Sequence, residues 1–271
     1  MYKPVLSIMM PAIRTNLWTG LYNSIWNSIQ DIPFEIIFVG PHSELPDELK
    51  DKANVKLIKD YGSPTKAFGI ALEFVEGEYV TWAADDATYN PGTLKEVMNI
   101  IIKKNNPNLV IAMEQTESSR YYSADSCRIN ADAGIRCSVP DNFYFFPTAL
   151  MKTSLYKQLG GLDCKYETHA MAHLDFAIRA QFHGVDVEFY RKPVLHLTHM
   201  MGRSGDHGPI ADTQEQKDQP LFLSLYRDPK YTPAIYLDLD DWRKADIVWD
   251  SRFKVSTSSL SPSKEEQDAK A

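Results

Sequence analysis

Gly77-Glu78-Tyr79-Val80-Thr81-Trp82-Ala83-Ala84-Asp85-Asp86-Ala87 is the stretch from which the rest of the chain is read. An apolar run rich in β-branched and aromatic residues stops at two adjacent carboxylates. Pro91-Gly92 then opens an amphipathic segment from Thr93 to about Lys104. This order predicts a buried strand, a turn and a helix. Open α/β sheets bind ligands in the crevice outside the carboxyl ends of their strands, so the strand would deliver Asp85 and Asp86 to such a crevice. Carboxylates there suit a hard divalent cation, which in turn can hold a diphosphate. The competing reading is two solvated aspartates opening a turn.

Strand and helix patterns alternate on both sides of this stretch. Leu6–Met10 and Phe34–Val39 are short apolar runs of the kind found in parallel strands covered on both faces. Leu17–Gln30 carries Leu21, Ile25 and Ile29 on one helical face. Val55–Ile58 is a short strand, and Ser63 or Thr65 can cap a helix running to about Val75. Tyr79–Ala83 and Asn108–Met113 are strands, and the polar stretch from Glu114 to Asp141 is expected to be a long loop beside the site. Asn142–Pro147 reads as a further strand and Thr153–Leu159 as a helix ending at Gly160-Gly161. Ala170–Phe182 is a helix closed by Gly184, followed by extended pieces at Val185–Tyr190 and Val194–His199. The order predicts an α/β fold with a mostly parallel, doubly wound sheet flanked by helices.

The 271 residues suffice for one large domain with a tail. A formal charge of −7 offers no basic stripe for a nucleic-acid partner. No apolar run is long enough for a transmembrane segment, and the short apolar stretch after Lys3 lacks the features of a signal peptide. Cys127, Cys137 and Cys164 have no metal-ligand spacing, and their odd number fits reduced thiols in a cytoplasmic protein. The expected organisation is a domain over residues 1–225, a proline- and acid-rich extension over 226–255 and a disordered tail over 256–271.

In this order the segments resemble the family-2 type of nucleotide-sugar glycosyltransferases, which have the GT-A fold. The resemblance runs from Leu6 to about Gly202. It rests on Leu6-Ser7-Ile8-Met9-Met10-Pro11, Glu35-Ile36-Ile37-Phe38-Val39, the stretch Gly77–Asp86 with Pro91-Gly92-Thr93-Leu94, Gly160-Gly161-Leu162-Asp163, and Asp175-Phe176-Ala177-Ile178-Arg179 with Gly184. It implies a nucleotide-sugar donor, a glycan or other hydroxyl acceptor, and Mn²⁺ or Mg²⁺. Three departures stand out. Gly40-Pro41-His42 replaces the aspartate that usually ends the second strand, Ala84 takes the place of the first acid of an Asp-x-Asp motif, and Ala172-His173 replaces the acid pair before the catalytic helix.

The resemblance implies Asp86 as a metal ligand, with Asp85 on the metal or a ribose hydroxyl. It also implies a histidine after the last core strand as a further ligand. Residues three apart in an extended segment face opposite sides, so His196 and His199 are alternatives, with His196 preferred because it follows Val194-Leu195 directly. The candidate bases are Asp175 and His173, which lie about 200° apart on a helix, so only one can face the donor. Asp175 is preferred because it begins the matching segment; its structural alternative is an ion pair with Arg179 at i+4. Pro11, Arg14, Lys66 and Arg203 are the remaining donor-binding candidates. Two other functions fit the same sheet: a sugar-phosphate nucleotidylyltransferase, although the loop after the first strand lacks glycine, and a catalytically inactive sugar- or nucleotide-binding module.

Overall fold

The computed structural model describes residues 3–118, 120–131, 135–198, 207–245 and 249. The elements follow in order: β1 (Leu6–Pro11), α1 (Thr15–Ile29), β2 (Phe34–Gly40), the short α2 (Asp47–Lys50), β3 (Val55–Lys59), α3 (Pro64–Glu73), β4 (Tyr79–Trp82), β5 (Ala87–Tyr89) and α4 (Thr93–Lys104). Then come β6 (Leu109–Glu117), β7 (Arg120–Tyr122), β8 (Thr148–Lys152), α5 (Thr153–Gln158), α6 (His169–Phe182) and β9 (Asp186–Leu197). After the undescribed 199–206, one helical run holds α7 (Gly208–Thr213), a π turn (Gln214–Asp218) and α8 (Gln219–Tyr226), with a short α9 (Asp241–Lys244) beyond it.

The strands form one sheet in the order β3-β2-β1-β4-β8-β6-β9-β5, with β7 paired to β6. Its strands alternate their buried side chains between two cores, as a period of two requires. Met9, Ile37, Val39, Val80, Trp82, Val110 and Met151 meet α3, α5 and α6 on one face. Ile8, Met10, Ile36, Phe38, Tyr79, Ile111 and Leu150 meet α1 and α4 on the other. The near-continuous apolar runs in the sequence follow from this double covering.

Local signals set the helix ends. Ser63 caps α3, its hydroxyl accepting from the Lys66 N–H at 3.2 Å, and Pro64 fills the first turn, where a missing N–H has no consequence. Gly184, at φ +77°, closes α6 in the left-handed conformation that a residue without Cβ adopts most readily.

The structure corrects the expected layout in four places. The sheet is mixed rather than mostly parallel, because β8 is inserted antiparallel between β4 and β6. The strand expected over Asn142–Pro147 is a loop touching Arg128 through a single bridge at Tyr144, and pairing starts only at Thr148. Pro147 has no N–H to donate to a ladder, so the strand begins after it. The expected loop from Glu114 instead continues β6 to Glu117 and turns back as β7. Val185–Tyr190 and Val194–His199 are likewise not separate pieces. Described residues of both join in β9, whose register against β6 slips where Pro193 sits opposite Glu114.

The chain beyond Tyr226 packs back on the same body. The Leu237 N–H donates to the Leu159 carbonyl, and Trp242 lies against Gly69 of α3, where any Cβ would meet its ring. The expected tail over 256–271 and the sequence candidates His199 and Arg203 lie outside the described residues. Among the described residues no helix is long and apolar enough to cross a membrane.

Candidate functional site

A cavity of about 470 Å³ opens at the carboxyl ends of β1 and β4. Its size falls within the range of small-ligand sites. Three parts of the chain supply its principal walls: Pro11 at the end of β1 with Arg14 beyond it, the segment Trp82–Asp86 leading out of β4, and His169 with His173 from α6. The hairpin residues Glu117, Arg120 and Tyr122 line another side, and the helical run from His207 to Gln219 lines the last.

The two adjacent aspartates have different surroundings. Asp85 is buried, and its Oδ2 accepts from the Ile13 and Arg14 backbone N–H groups, both at 2.6 Å, and from Trp18 Nε1 at 3.2 Å. Its Oδ1 pairs with the Arg14 guanidinium. This carboxylate staples the β1–α1 loop to the end of β4, so its oxygens are already engaged by protein donors. Asp85, expected on a metal or a ribose, thus stands on the cavity wall with its oxygens held by these groups. Asp86 is also buried and lines the cavity, and its backbone carbonyl is held by Thr198 through N–H and hydroxyl donors.

Gly40 explains the missing aspartate at the end of β2. A Cβ built there would lie 1.8 Å from the Ala12 carbonyl oxygen, so the backbones approach too closely for any side chain. His42 instead meets the same loop, its Nε2 lying 2.9 Å from the Ile13 carbonyl. Lys66, expected to bind the donor, does not line the cavity and is paired with Asp60 at 3.6 Å.

On α6 the two candidate bases, Asp175 and His173, have different surroundings. Ten consecutive residues, Met171 to Ala180, are buried, so a polar group here needs an internal partner. Asp175 finds several: Arg179 Nε at 2.7 Å, the Tyr226 hydroxyl at 2.7 Å and Lys165 Nζ at 3.5 Å. Arg179 also donates to the carbonyls of Leu159 and Gly161, which ties the helix to the glycine turn below it. Asp175 is 0% exposed, does not line the cavity and is the centre of a structural ion-pair network.

His173, on the other side of the helix, does line the cavity. Its ring packs 4.9 Å from Trp82 and 5.5 Å from Phe68, and its Nε2 has no hydrogen-bond partner among the described residues. Burial, with help from the neighbouring His169, holds its pKa well below the usual imidazole value, so the ring is neutral at pH 7. His169 was not a sequence candidate, yet the spacing His-x-x-x-His carried the signal, since residues four apart share a helix face.

His196, expected as a metal ligand, does not line the cavity. Leu195 and Leu197 line the cavity, and strand alternation turns His196 between them to the opposite face, where its Nδ1 lies 2.7 Å from the Thr116 hydroxyl. Among the described residues no group of three His, Cys, Asp or Glu side chains is placed to hold a metal ion. The three thiols are no substitute, since burial pushes Cys127 and Cys164 up to about 12 and Cys137 up to about 11, which keeps them protonated. A cage made wholly of described protein groups therefore does not fit a metal ion.

No protein-family model matches the sequence, and no curated protein matches it. Solved structures do. The crystal structure of S. aureus TarS 1-349 in complex with UDP-GlcNAc matches over 97% of this chain and 77% of that chain, with 20% identity and a TM-score of 0.56. The complex of TarS 1-349 with UDP matches at 19% identity and a TM-score of 0.56, over 97% and 76% of the two chains. A longer TarS structure matches at 18% identity and a TM-score of 0.55, with 46% of its own length covered. At such identities the likeness is one of fold, and the α/β architecture expected from the resemblance is the one these structures share.

Proposed function

We propose that the chain is a glycosyltransferase that moves a sugar from a nucleoside-diphosphate donor to a hydroxyl acceptor. The observation that carries this reading is one cavity lined both by the buried carboxylate Asp86 and by the neutral imidazole of His173. The fold supports it, since TarS, similar in fold, has been crystallised with UDP and with UDP-GlcNAc. UDP-sugars are therefore the donors to try first.

In this reading the acceptor oxygen attacks the anomeric carbon as the bond to the diphosphate oxygen breaks. The acceptor proton passes to the His173 imidazole, whose Nε2 has no hydrogen-bond partner among the described residues. Attack on the face opposite the leaving group inverts the anomeric centre. Trp82 and Phe68 fix the imidazole plane from two sides and exclude water from it. Arg14 presents a cation at the cavity wall, oriented by its pair with Asp85. Asp86 would hold Mn²⁺ or Mg²⁺ together with the diphosphate oxygens, and the ion would neutralise charge on the leaving group.

Calorimetry with UDP and UDP-GlcNAc, with Mn²⁺ and then with EDTA, tests this. Wild type should bind both in a metal-dependent way, and Asp86→Ala should lose most of that dependence. Failure of wild type to bind either nucleotide would overturn the transferase reading, and affinity unmoved by EDTA would overturn the metal's part in it. A second reading, a binding module without turnover, is favoured by the engagement of Asp85 with protein donors. Tight binding with no release of UDP from UDP-GlcNAc, alone or with acceptors, would select it.

A further inference from the structure

Asp218 is fully buried, yet it lies on the helical run that lines one side of the cavity. The cavity-facing positions on that run are His207, Ile210, Ala211, Gln214, Glu215 and Gln219. Up to Glu215 they keep the three- and four-residue spacing of an α-helical stripe, and the next member of an unbroken stripe would be residue 218. The π turn Gln214–Asp218 inserts one extra residue. Each residue turns the helix by about 100°, so the insertion brings Gln219 into the cavity and swings Asp218 off it.

The rotated carboxylate lands on the start of α6. Its Oδ2 accepts from the Thr168 N–H at 2.5 Å, the Thr168 hydroxyl at 2.6 Å and the Glu167 N–H at 3.0 Å. Its Oδ1 lies 3.2 Å from the same Glu167 N–H. Thr168 is the N-cap residue of α6 and makes no side-chain cap of its own; its hydroxyl donates to Asp218. The first turn beyond this cap carries His169, and the next carries His173.

We propose that Asp218 is a positioning residue that latches the cavity's helical wall to the N-terminus of α6 and so fixes where the His173 ring stands. The proposal rests on the transferase reading only in giving His173 its chemical task; the latch is a property of the fold. The geometry, rather than the negative charge, holds it. An asparagine with its amide oxygen at the Oδ2 position keeps the Thr168 N–H, the Thr168 hydroxyl and the closer Glu167 contact, whereas alanine keeps none.

The test uses the full chain with ¹⁵N-labelled histidine, and compares wild type with Asp218→Ala, Asp218→Asn and Thr168→Val. The His173 ring resonances are followed through a pH titration, with His183, at the far end of α6, as the internal control. The titratable neighbour facing His173 on its own helix is His169, and the rings against it from α3 and β4 are Phe68 and Trp82. In Asp218→Ala the His173 midpoint should move up toward an ordinary imidazole as the helix start loosens and water reaches the ring. Asp218→Asn should restore the wild-type curve, Thr168→Val should fall between, and His183 should not move.

Turnover of UDP-GlcNAc, read as released UDP, should fall about tenfold in Asp218→Ala with UDP affinity within about threefold of wild type. If Asp218→Ala does not fold, as judged by circular dichroism, Thr168→Val and Asp218→Asn carry the comparison. An unchanged His173 titration in the folded loss-of-contact variants would overturn the latch, as would an Asn variant no better than alanine. A wild type that does not bind UDP would instead overturn the transferase reading, and the titration would still decide the latch.

Discussion

Replacing Asp175 by asparagine separates the two readings of α6, one in which this carboxylate belongs to the scaffold and one in which it belongs to the chemistry. Asp175 and Arg179 are 0% and 1% exposed, and the pair is completed by the Tyr226 hydroxyl and by Lys165. Removing one member of a buried ion pair strands the other, at a typical cost of about 3–5 kcal/mol. Arg179 keeps two carbonyl acceptors, and Lys165 keeps Asp163 at 2.6 Å, so the lower end, about 3 kcal/mol, is expected. For a chain of this size, roughly 2–4 °C of melting temperature is lost per kcal/mol, which predicts a fall of about 6–12 °C. Urea unfolding with an unchanged slope and a lower midpoint is the assay, alongside turnover measured well below the new melting temperature. There Asp175→Asn should retain turnover within about tenfold of wild type. His173→Gln should fold normally, keep its UDP affinity and lose about 10²- to 10⁴-fold in turnover. If Asp175→Asn unfolds at the wild-type urea midpoint yet suffers the larger loss, the carboxylate acts on the substrate and is not a scaffold group.

Two further outcomes follow from the same geometry. His196→Ala should leave metal-dependent UDP affinity within about twofold of wild type, because its ring sits on the face opposite the cavity; a large loss in calorimetry would place it in the site. Acid sensitivity should also trace in part to His173: its folded pKa lies below 6.5 while the unfolded value stays near it, so the unfolded state binds the proton more readily. Stability should therefore be full above about pH 6.5 and fall as the pH drops below it. His173→Phe should flatten that decline in a series of urea midpoints, and an unchanged slope would reject the assignment.

Much of the fold was legible because its signals are local. The apolar runs of β1, β2 and β4, the Ser63-Pro64 start of α3, the Pro91-Gly92 entry to α4 and Gly184 after α6 each act within a few residues, and the structure has an element or an end at each. The aspartates at the end of β4 were legible for the same reason. The sequence also established relative directions: His173 and Asp175 cannot share a helix face, and His196 and His199 cannot share a strand face.

Absolute directions were decided only by the tertiary structure, since periodicity carries no information about which face meets which neighbour. Trp82 and Phe68 receive His173 toward the cavity, while Tyr226, Lys165 and the carbonyls beneath Arg179 receive the opposite face of α6. Asp85 is claimed by backbone groups more than sixty residues upstream, a contact without trace in its own neighbourhood. The antiparallel insertion of β8 between β4 and β6 and the π turn that aims Asp218 at α6 are likewise products of long-range packing. Strand propensity and helix period are written into each segment. The rotation of a helix about its axis and the partner of a strand are fixed by how much apolar surface the assembled chain buries.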